Sequence, residues 1–202
     1  MVGKRLRIWH WQCERFWGVV SSQWSVVSGM PSALSLRDSI LDTWKTNNRV
    51  TIYLVEHLPA EVWDLSVPGA PRRTLRMIAG HIHNARCMWI NTLGKEHGIT
   101  VPRSVDRHSV KSKSLVSALE RSSKGMLRLL EFGCDQGGYI PPTSSYVWRN
   151  LPLDVGHVLG YFLAHEGHHR GQIVLIARQL GYRLPAEVTA GLWQWSKHSR
   201  ET

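Results

Sequence analysis

The chain has 202 residues and a formal net charge of +10, from 25 Lys and Arg against 15 Asp and Glu. Its 43% hydrophobic content with 20% charged residues excludes a wholly disordered or fibrous chain, and the length suffices for one domain with its own core. The positive charge suggests a nucleic-acid or acidic-membrane partner, but no apolar run is long enough for a membrane span. Three cysteines without tight spacing argue against a secreted disulfide scaffold and favour a reducing compartment, the cytoplasm.

Residues 1–33 differ in composition from the remainder and are predicted to form an N-terminal extension to a domain at 34–202. The first thirty residues hold four tryptophans and four basic residues, and polar residues interrupt their apolar stretches. No signal-peptide core or continuous amphipathic stripe is therefore present. Two interpretations remain open: a disordered extension, or a mis-assigned start with translation beginning at Met30.

The first helix is predicted to start after Ser35, a good N-cap with Asp38 three residues on as its capping-box partner. Apolar residues at helical spacing continue until the helix stops before Pro59. Residues 66–73 contain Pro, Gly and Pro and predict a turn.

A second helix is predicted from Thr74 to Gly94, and the polar segment 95–111 is a long connection. The third helix covers Ser112 to Phe132, with Gly133 as its C-terminal stop. A loop with paired glycines and paired prolines follows.

The fourth helix is the longest, with Pro152 in its first turn, its end at Leu180 and Gly181 at C′. A short helix follows Pro185. Because no alternating strand pattern of useful length is present, the sequence predicts an all-α fold. Its predicted architecture is a four-helix bundle with a short C-terminal helix and an irregular N-terminal extension.

Histidines occupy positions where core residues are expected. The inward stripe of the last long helix contains two of them: Val158, Phe162, His165, His169, Ile173, Ile176 and Leu180. His165 and His169 lie roughly 40° apart on the helix, so both point into the bundle. His81 falls on the buried stripe of the second helix, whereas His83 lies roughly 200° away and His168 roughly 100° from His169, toward the flank.

Three inward imidazoles on facing helices predict a metal site at His81, His165 and His169. A single buried histidine is more often a satisfied core residue, but burying unpaired polar groups costs about 1–3 kcal/mol each, and one cation satisfies all three. Three histidines with an open fourth position are typical of catalytic metals. The ligand set suits Zn²⁺, Ni²⁺, Fe²⁺ or Cu²⁺ without choosing among them.

A competing motif overlaps this site, because residues 165–169 match H-E-x-x-H, the zincin protease pattern with Glu166 as general base. The metzincin extension fails, since Gln172 and Leu175 stand where Gly and His are needed. A downstream ligand would have to be Glu187, at the start of a new helix, and no strands flank the motif. A protease is therefore the weaker hypothesis.

The run His165-Glu166-Gly167-His168-His169-Arg170-Gly171-Gln172-Ile173 resembles the H-x-x-H-H-R-G-Q-I run of the DinB/YfiT-like family. Residues 78–84, followed by Trp89, are similar to the family's second helix, although Gly80 replaces its usual non-glycine small residue. The resemblance covers about residues 35–182. It implies an up-down-down-up four-helix bundle, often dimeric, with nickel or zinc held by His81, His165 and His169.

Some family members are similar to S-transferases that use low-molecular-weight thiols such as bacillithiol, mycothiol or glutathione, and others resemble mycothiol-dependent isomerases. The resemblance thus implies a metal-dependent enzyme that activates a thiol for attack on an electrophilic substrate. A metal-dependent hydrolase that activates water is the alternative. Glu166 and His168 flank the ligands and are candidate proton carriers or ligand-orienting residues, with an exposed helix face as the competing interpretation.

A non-enzymatic nucleic-acid-binding module is the third hypothesis. The basic residues are scattered over the predicted helices without a recognition motif or a basic helix. The net charge therefore indicates, at most, a preference for anionic small substrates or thiols.

Overall fold

Four long helices dominate the computed structural model, which describes residues 35–202. The elements follow in chain order: α1 (Leu36–His57), α2 (Ala60–Trp63), β1 (Ser66–Val67), β2 (Ala70–Thr74), α3 (Leu75–Leu93), a 3₁₀ turn (Lys95–His97), α4 (Ser112–Asp135), α5 (Val155–Gln179), α6 (Ala186–Gly191) and α7 (Trp195–His198). The extension predicted at 1–33, with its alternative of a mis-assigned start, lies outside the described residues.

Polar side chains fix the starts of the first two long helices where the sequence predicts them. The Ser35 hydroxyl accepts the backbone N–H of Asp38 at 3.1 Å and donates to its carboxylate at 2.7 Å. Thr74 caps α3 by accepting the N–H of Met77. Each cap satisfies a backbone donor that has no partner within its own helix.

The predicted turn at 66–73 is a small antiparallel hairpin. Ser66 pairs with Thr74, and Val67 pairs with Ala70 around Gly69, which has a φ of 74°. The strands are two and five residues long, too short for an alternating pattern to reveal them.

The end of α4 and the start of α5 differ from the sequence prediction. Helix α4 continues through Gly133 to Asp135 and does not stop at the glycine. Gly133 instead allows close packing, since a Cβ there would lie 2.6 Å from Val155 Cγ1. Pro152 precedes α5, whose N-cap is Asp154, with a side chain that accepts the N–H of His157. An acidic cap at a helix N-terminus also complements the helix dipole.

The helix directions follow from six side-chain contacts. Trp44–Phe162 and Asn47–Glu166 join α1 to α5, Arg86–Glu166 and Trp89–Phe162 join α3 to α5, and Trp44–Ser123 and Val55–Ser112 join α1 to α4. Residue numbers rise together along α1 and α5, so these helices are parallel. They run in opposite directions along α3 and α5 and along α1 and α4, so these two pairs are antiparallel. The bundle therefore has the predicted up-down-down-up order.

A buried polar layer separates two apolar halves of the core. One half surrounds Ile78 and Ile173, and the other surrounds Trp89 and Phe162. The layer between them contains Asn47, Thr51, Arg86 and Glu166, each at most 1% exposed. Within residues 35–202, no helix combines the length and apolarity needed to cross a membrane.

Candidate metal centre

The three histidines selected by their spacing converge at one point between α3 and α5. One ring nitrogen of each of His81, His165 and His169 lies within 4.8 Å of the others. Because the two helices are antiparallel, His81 meets His169 across the interface, with ring centroids 4.7 Å apart. His165 sits one helical turn from His169, with Nε2 atoms 3.2 Å apart.

This arrangement fits a divalent cation. Two imidazole nitrogens bound to one tetrahedral ion, at metal–nitrogen distances of about 2.0–2.1 Å, lie about 3.3 Å from each other. The separation of 3.2 Å between the Nε2 atoms of His165 and His169 meets that requirement without rearrangement. Three protein nitrogens also leave a coordination position for a substrate.

Gln172 orients one of the three rings. Nδ1 of His169 donates to Oε1 of Gln172 at 2.9 Å, so in the neutral ring the lone pair is on Nε2, which faces His165. Such a contact fixes both tautomer and ring angle of a metal ligand.

The environment favours the neutral, metal-binding form of all three rings. Burial is the largest cause of the lowered pKa of His81, and the positive charges of His165, Arg107 and Arg73 lower it further. Burial also lowers the pKa of His165, only partly opposed by the nearby Glu166 carboxylate. Burial lowers the pKa of His169 to about 4, with the other histidines adding to it and the Gln172 hydrogen bond opposing it. Near neutral pH, protons would therefore compete only weakly with a metal ion for these ring nitrogens.

Aromatic side chains extend from the histidine cluster toward solvent. Tyr161 stacks on His165 with an interplanar angle of 15° and also contacts Trp89 edge-on. Trp148, which is 54% exposed, packs edge-on against Trp89 from the loop between α4 and α5. His168 is exposed and meets the ring of His169 at a centroid distance of 5.0 Å, without joining the cluster.

Glu166 does not lie on an exposed flank, as one interpretation of the sequence has it. Its side chain is completely buried, and both oxygens are paired with Arg86, at 2.7 and 2.8 Å. Asn47 and Thr51 donate to Oε2 at 2.9 and 2.8 Å. Burial alone raises the pKa of Glu166, but the Arg86 guanidinium outweighs it and holds the pKa below its usual value. These contacts fit a residue that anchors the turn between His165 and His169 and not one that exchanges protons with solvent.

Arg86 is the residue of this region that sequence reasoning missed. It is 0% exposed, and besides Glu166 it donates to Asn48 Oδ1 and to the Leu119 carbonyl. Its position four residues after Ile82 and three before Trp89, on the buried stripe, is the signal that identifies it. Arg170 completes the network by donating to Asn47 and Thr51 from α5.

His83 points away from the cluster, as predicted, but it is buried. Its nitrogens contact the Ser122 hydroxyl at 3.0 Å and the Arg103 carbonyl at 3.1 Å, so α4 and a loop satisfy the ring. Cys87 lies against it as a buried free thiol, with a pKa that burial raises. The pair belongs to the core and carries no ligand for the centre.

The search of curated proteins finds no match to this chain. A sequence model of the DinB family matches residues 30–199, which include the whole bundle and the three histidines of the cluster. The match spans well over half of the chain. The protein therefore belongs to the DinB family.

Proposed function

We propose that this protein is a metal-dependent enzyme of the S-transferase type, which joins a low-molecular-weight thiol to an electrophilic substrate. The observation that carries the proposal is the cluster of His81, His165 and His169, whose nitrogens lie within 4.8 Å of one another. An ion with three protein ligands would keep a fourth position for substrate. The reaction belongs in the cytoplasm, where such thiols are kept reduced.

The three histidines would hold nickel or zinc, both of which accept imidazole ligands. When bound there, a divalent cation would supply one effect, a lowered pKa of the thiol substrate. The hydrogen bond from Nδ1 of His169 to Gln172 leaves the lone pair on Nε2, which would serve as the ligand atom, and His81 would contribute a ligand from α3. The reaction forms a carbon–sulfur bond, and the thiol proton leaves with the departing group or ends on the product.

His168 is our candidate for moving that proton. Its imidazole is exposed and lies edge-on to His169, so it connects the centre with solvent. An imidazole exchanges protons readily near neutral pH. Glu166, by contrast, has a positioning role. Its buried carboxylate accepts hydrogen bonds from α1 and α3 and so holds the turn of α5 that carries His165 and His169.

Metal content and thiol dependence together test the function. Full-length protein purified without an affinity His tag should contain about one nickel or zinc per chain by mass spectrometry of the metal. It should accelerate loss of 1-chloro-2,4-dinitrobenzene or monochlorobimane only when glutathione, bacillithiol or mycothiol is added. Thiol-independent cleavage of p-nitrophenyl acetate would instead support the hydrolase alternative. Protein that binds neither metal would contradict both enzyme hypotheses.

We further propose that the protein is a homodimer that pairs through α5. Gly160 and Gly171 lie on one face of the helix, where an added Cβ meets nothing within 4 Å, and the neighbouring Leu175 is 56% exposed. This face is opposite the histidines, so pairing leaves the centre open.

Sedimentation velocity tests the dimer. The mass derived for the wild type should be twice the 23.0 kDa of one chain. The Leu175→Arg variant should give the mass of the monomer. Leu36→Arg, which changes a leucine that is 78% exposed elsewhere, is the matched control and should leave the dimer intact. A monomeric wild type would overturn this proposal.

A further inference from the structure

A small basic cavity adjoins the metal centre on the side of His81. It has a volume of about 330 Å³ and is lined by Arg73, Met77, His81 and Arg107. His81 thus faces both the cluster of ring nitrogens and this cavity. A ligand in the cavity would therefore lie against His81, one of the three rings of the cluster.

The positive charge in the cavity is not neutralised by the protein. Within the described range 35–202, neither Arg73 nor Arg107 forms an ion pair. The nearby Asp64 pairs with Arg76 instead. Asp106 accepts the Ser109 hydroxyl at 2.6 Å and the His108 N–H at 2.9 Å. Two guanidinium groups therefore share one cavity wall with no carboxylate among its lining residues.

Gly80 positions one of these arginines. A Cβ on Gly80 would lie 3.2 Å from Arg107 Cγ, so the arginine stem packs directly on the helix backbone next to His81. A side chain at position 80 would be in tight contact with that stem, which would have to shift by a few tenths of an ångström. Gly80 therefore lets the Arg107 stem lie close to α3 beside His81, and both residues line the same cavity. Arg107 and Arg73 both contribute to the lowered pKa of His81, as close positive charges do.

We propose that the thiol or the electrophile that this protein uses carries a carboxylate, which binds between Arg73 and Arg107 while the reacting atom reaches the metal centre. This inference rests on the proposed function, whose substrate class it narrows. The planar fork of a guanidinium donates two parallel hydrogen bonds to a carboxylate. The cavity volume is at the small end of ligand sites, which suits a small acid.

Three thiols of similar size and different charge test the proposal on the full-length protein loaded with Co²⁺. Binding is followed by the thiolate-to-cobalt absorption band for 3-mercaptopropionate, 2-mercaptoethanol and cysteamine. 3-Mercaptopropionate should bind roughly tenfold more tightly than 2-mercaptoethanol, and cysteamine more weakly still. Arg73→Gln combined with Arg107→Gln should remove this preference; glutamine keeps the Cγ that packs on Gly80.

Arg72→Gln is the matched control, because successive strand residues point to opposite faces and Arg72 does not line the cavity. It should retain the preference for the anionic thiol. Equal affinities for the three thiols, or a preference that survives the double substitution, would overturn the anion site while leaving thiol binding at the metal intact.

A second measurement does not depend on the metal. In ¹H–¹⁵N spectra of the metal-free protein, the Nε–H signals of Arg73 and Arg107 should shift in a saturable way on addition of glutarate. Inorganic phosphate is titrated in parallel, because it shares the affinity for guanidinium groups. A response to phosphate alone would overturn the carboxylate assignment, and no response to either anion would overturn the site itself.

Discussion

Replacing His169 by alanine is expected to abolish stoichiometric metal binding. His169 is the most buried of the three histidines, and its Nε2 atom lies 3.2 Å from that of His165, a separation that a single ion can bridge. Losing a ligand should cost more than the roughly 10–100-fold in affinity that follows loss of a residue that only orients one. Metal analysis after dialysis and calorimetric titration with Zn²⁺ or Ni²⁺ measure the effect.

Two variants on the same helix serve as controls for His169→Ala. His168→Ala changes the adjacent exposed imidazole and should leave metal content unchanged while slowing thiol transfer. Gln172→Leu keeps all three nitrogens but removes the hydrogen bond to Nδ1 of His169, so metal affinity should fall roughly 10–100-fold without being lost. If folded His169→Ala, verified by circular dichroism, still bound one metal ion with wild-type affinity, the histidine cluster would not be the binding site.

The position of the histidine cluster was predictable because it depends on helix geometry alone. An i, i+4 spacing places His165 and His169 on one face of any regular helix. The apolar residues Phe162 and Ile173 continue this face, which predicts that it points into the bundle. In the structure both residues are 0% exposed. His81 followed from the same reasoning on α3, and the bundle brings the two inward faces together.

The spacing of Arg86 marks it as inward-facing, but its pairing with Glu166 was not predictable from a single helical stripe. Periodicity gives the direction in which a side chain points, but not how many neighbouring helices surround it. Helix α5 packs against both α1 and α3, so its buried arc extends past the His165–His169 face to Glu166. Because charged residues are usually exposed, an exposed helix face is the competing interpretation for Glu166, and Arg86 counts only among the scattered basic residues. Only the packing of all three helices reveals that each charge has the other as its partner.

Substituting Arg86 by methionine is expected to lower the free energy of unfolding by about 3–5 kcal/mol at neutral pH. The change leaves the Glu166 carboxylate completely buried with its main counter-charge removed. Arg170, 3.7 Å from Oε2, compensates only in part. Urea unfolding of the metal-free protein, followed by tryptophan fluorescence, measures the loss. Arg49→Met breaks the partly exposed pairs with Glu56 and Glu201 and should cost less than about 1 kcal/mol.

The pH dependence distinguishes loss of the charge pair from simple loss of packing. In the wild type, the pKa of Glu166 is lowered on folding from its ordinary 4.5, so its stabilisation is present above that value and is lost as the pH falls through the folded pKa. Without Arg86, burial raises the pKa of Glu166 in the folded state, and protonation relieves the unpaired charge. The stability difference between the two proteins should therefore narrow as the pH falls from 7 toward 4.5. A difference that stays constant over this range would show that Arg86 contributes by packing and not through its charge.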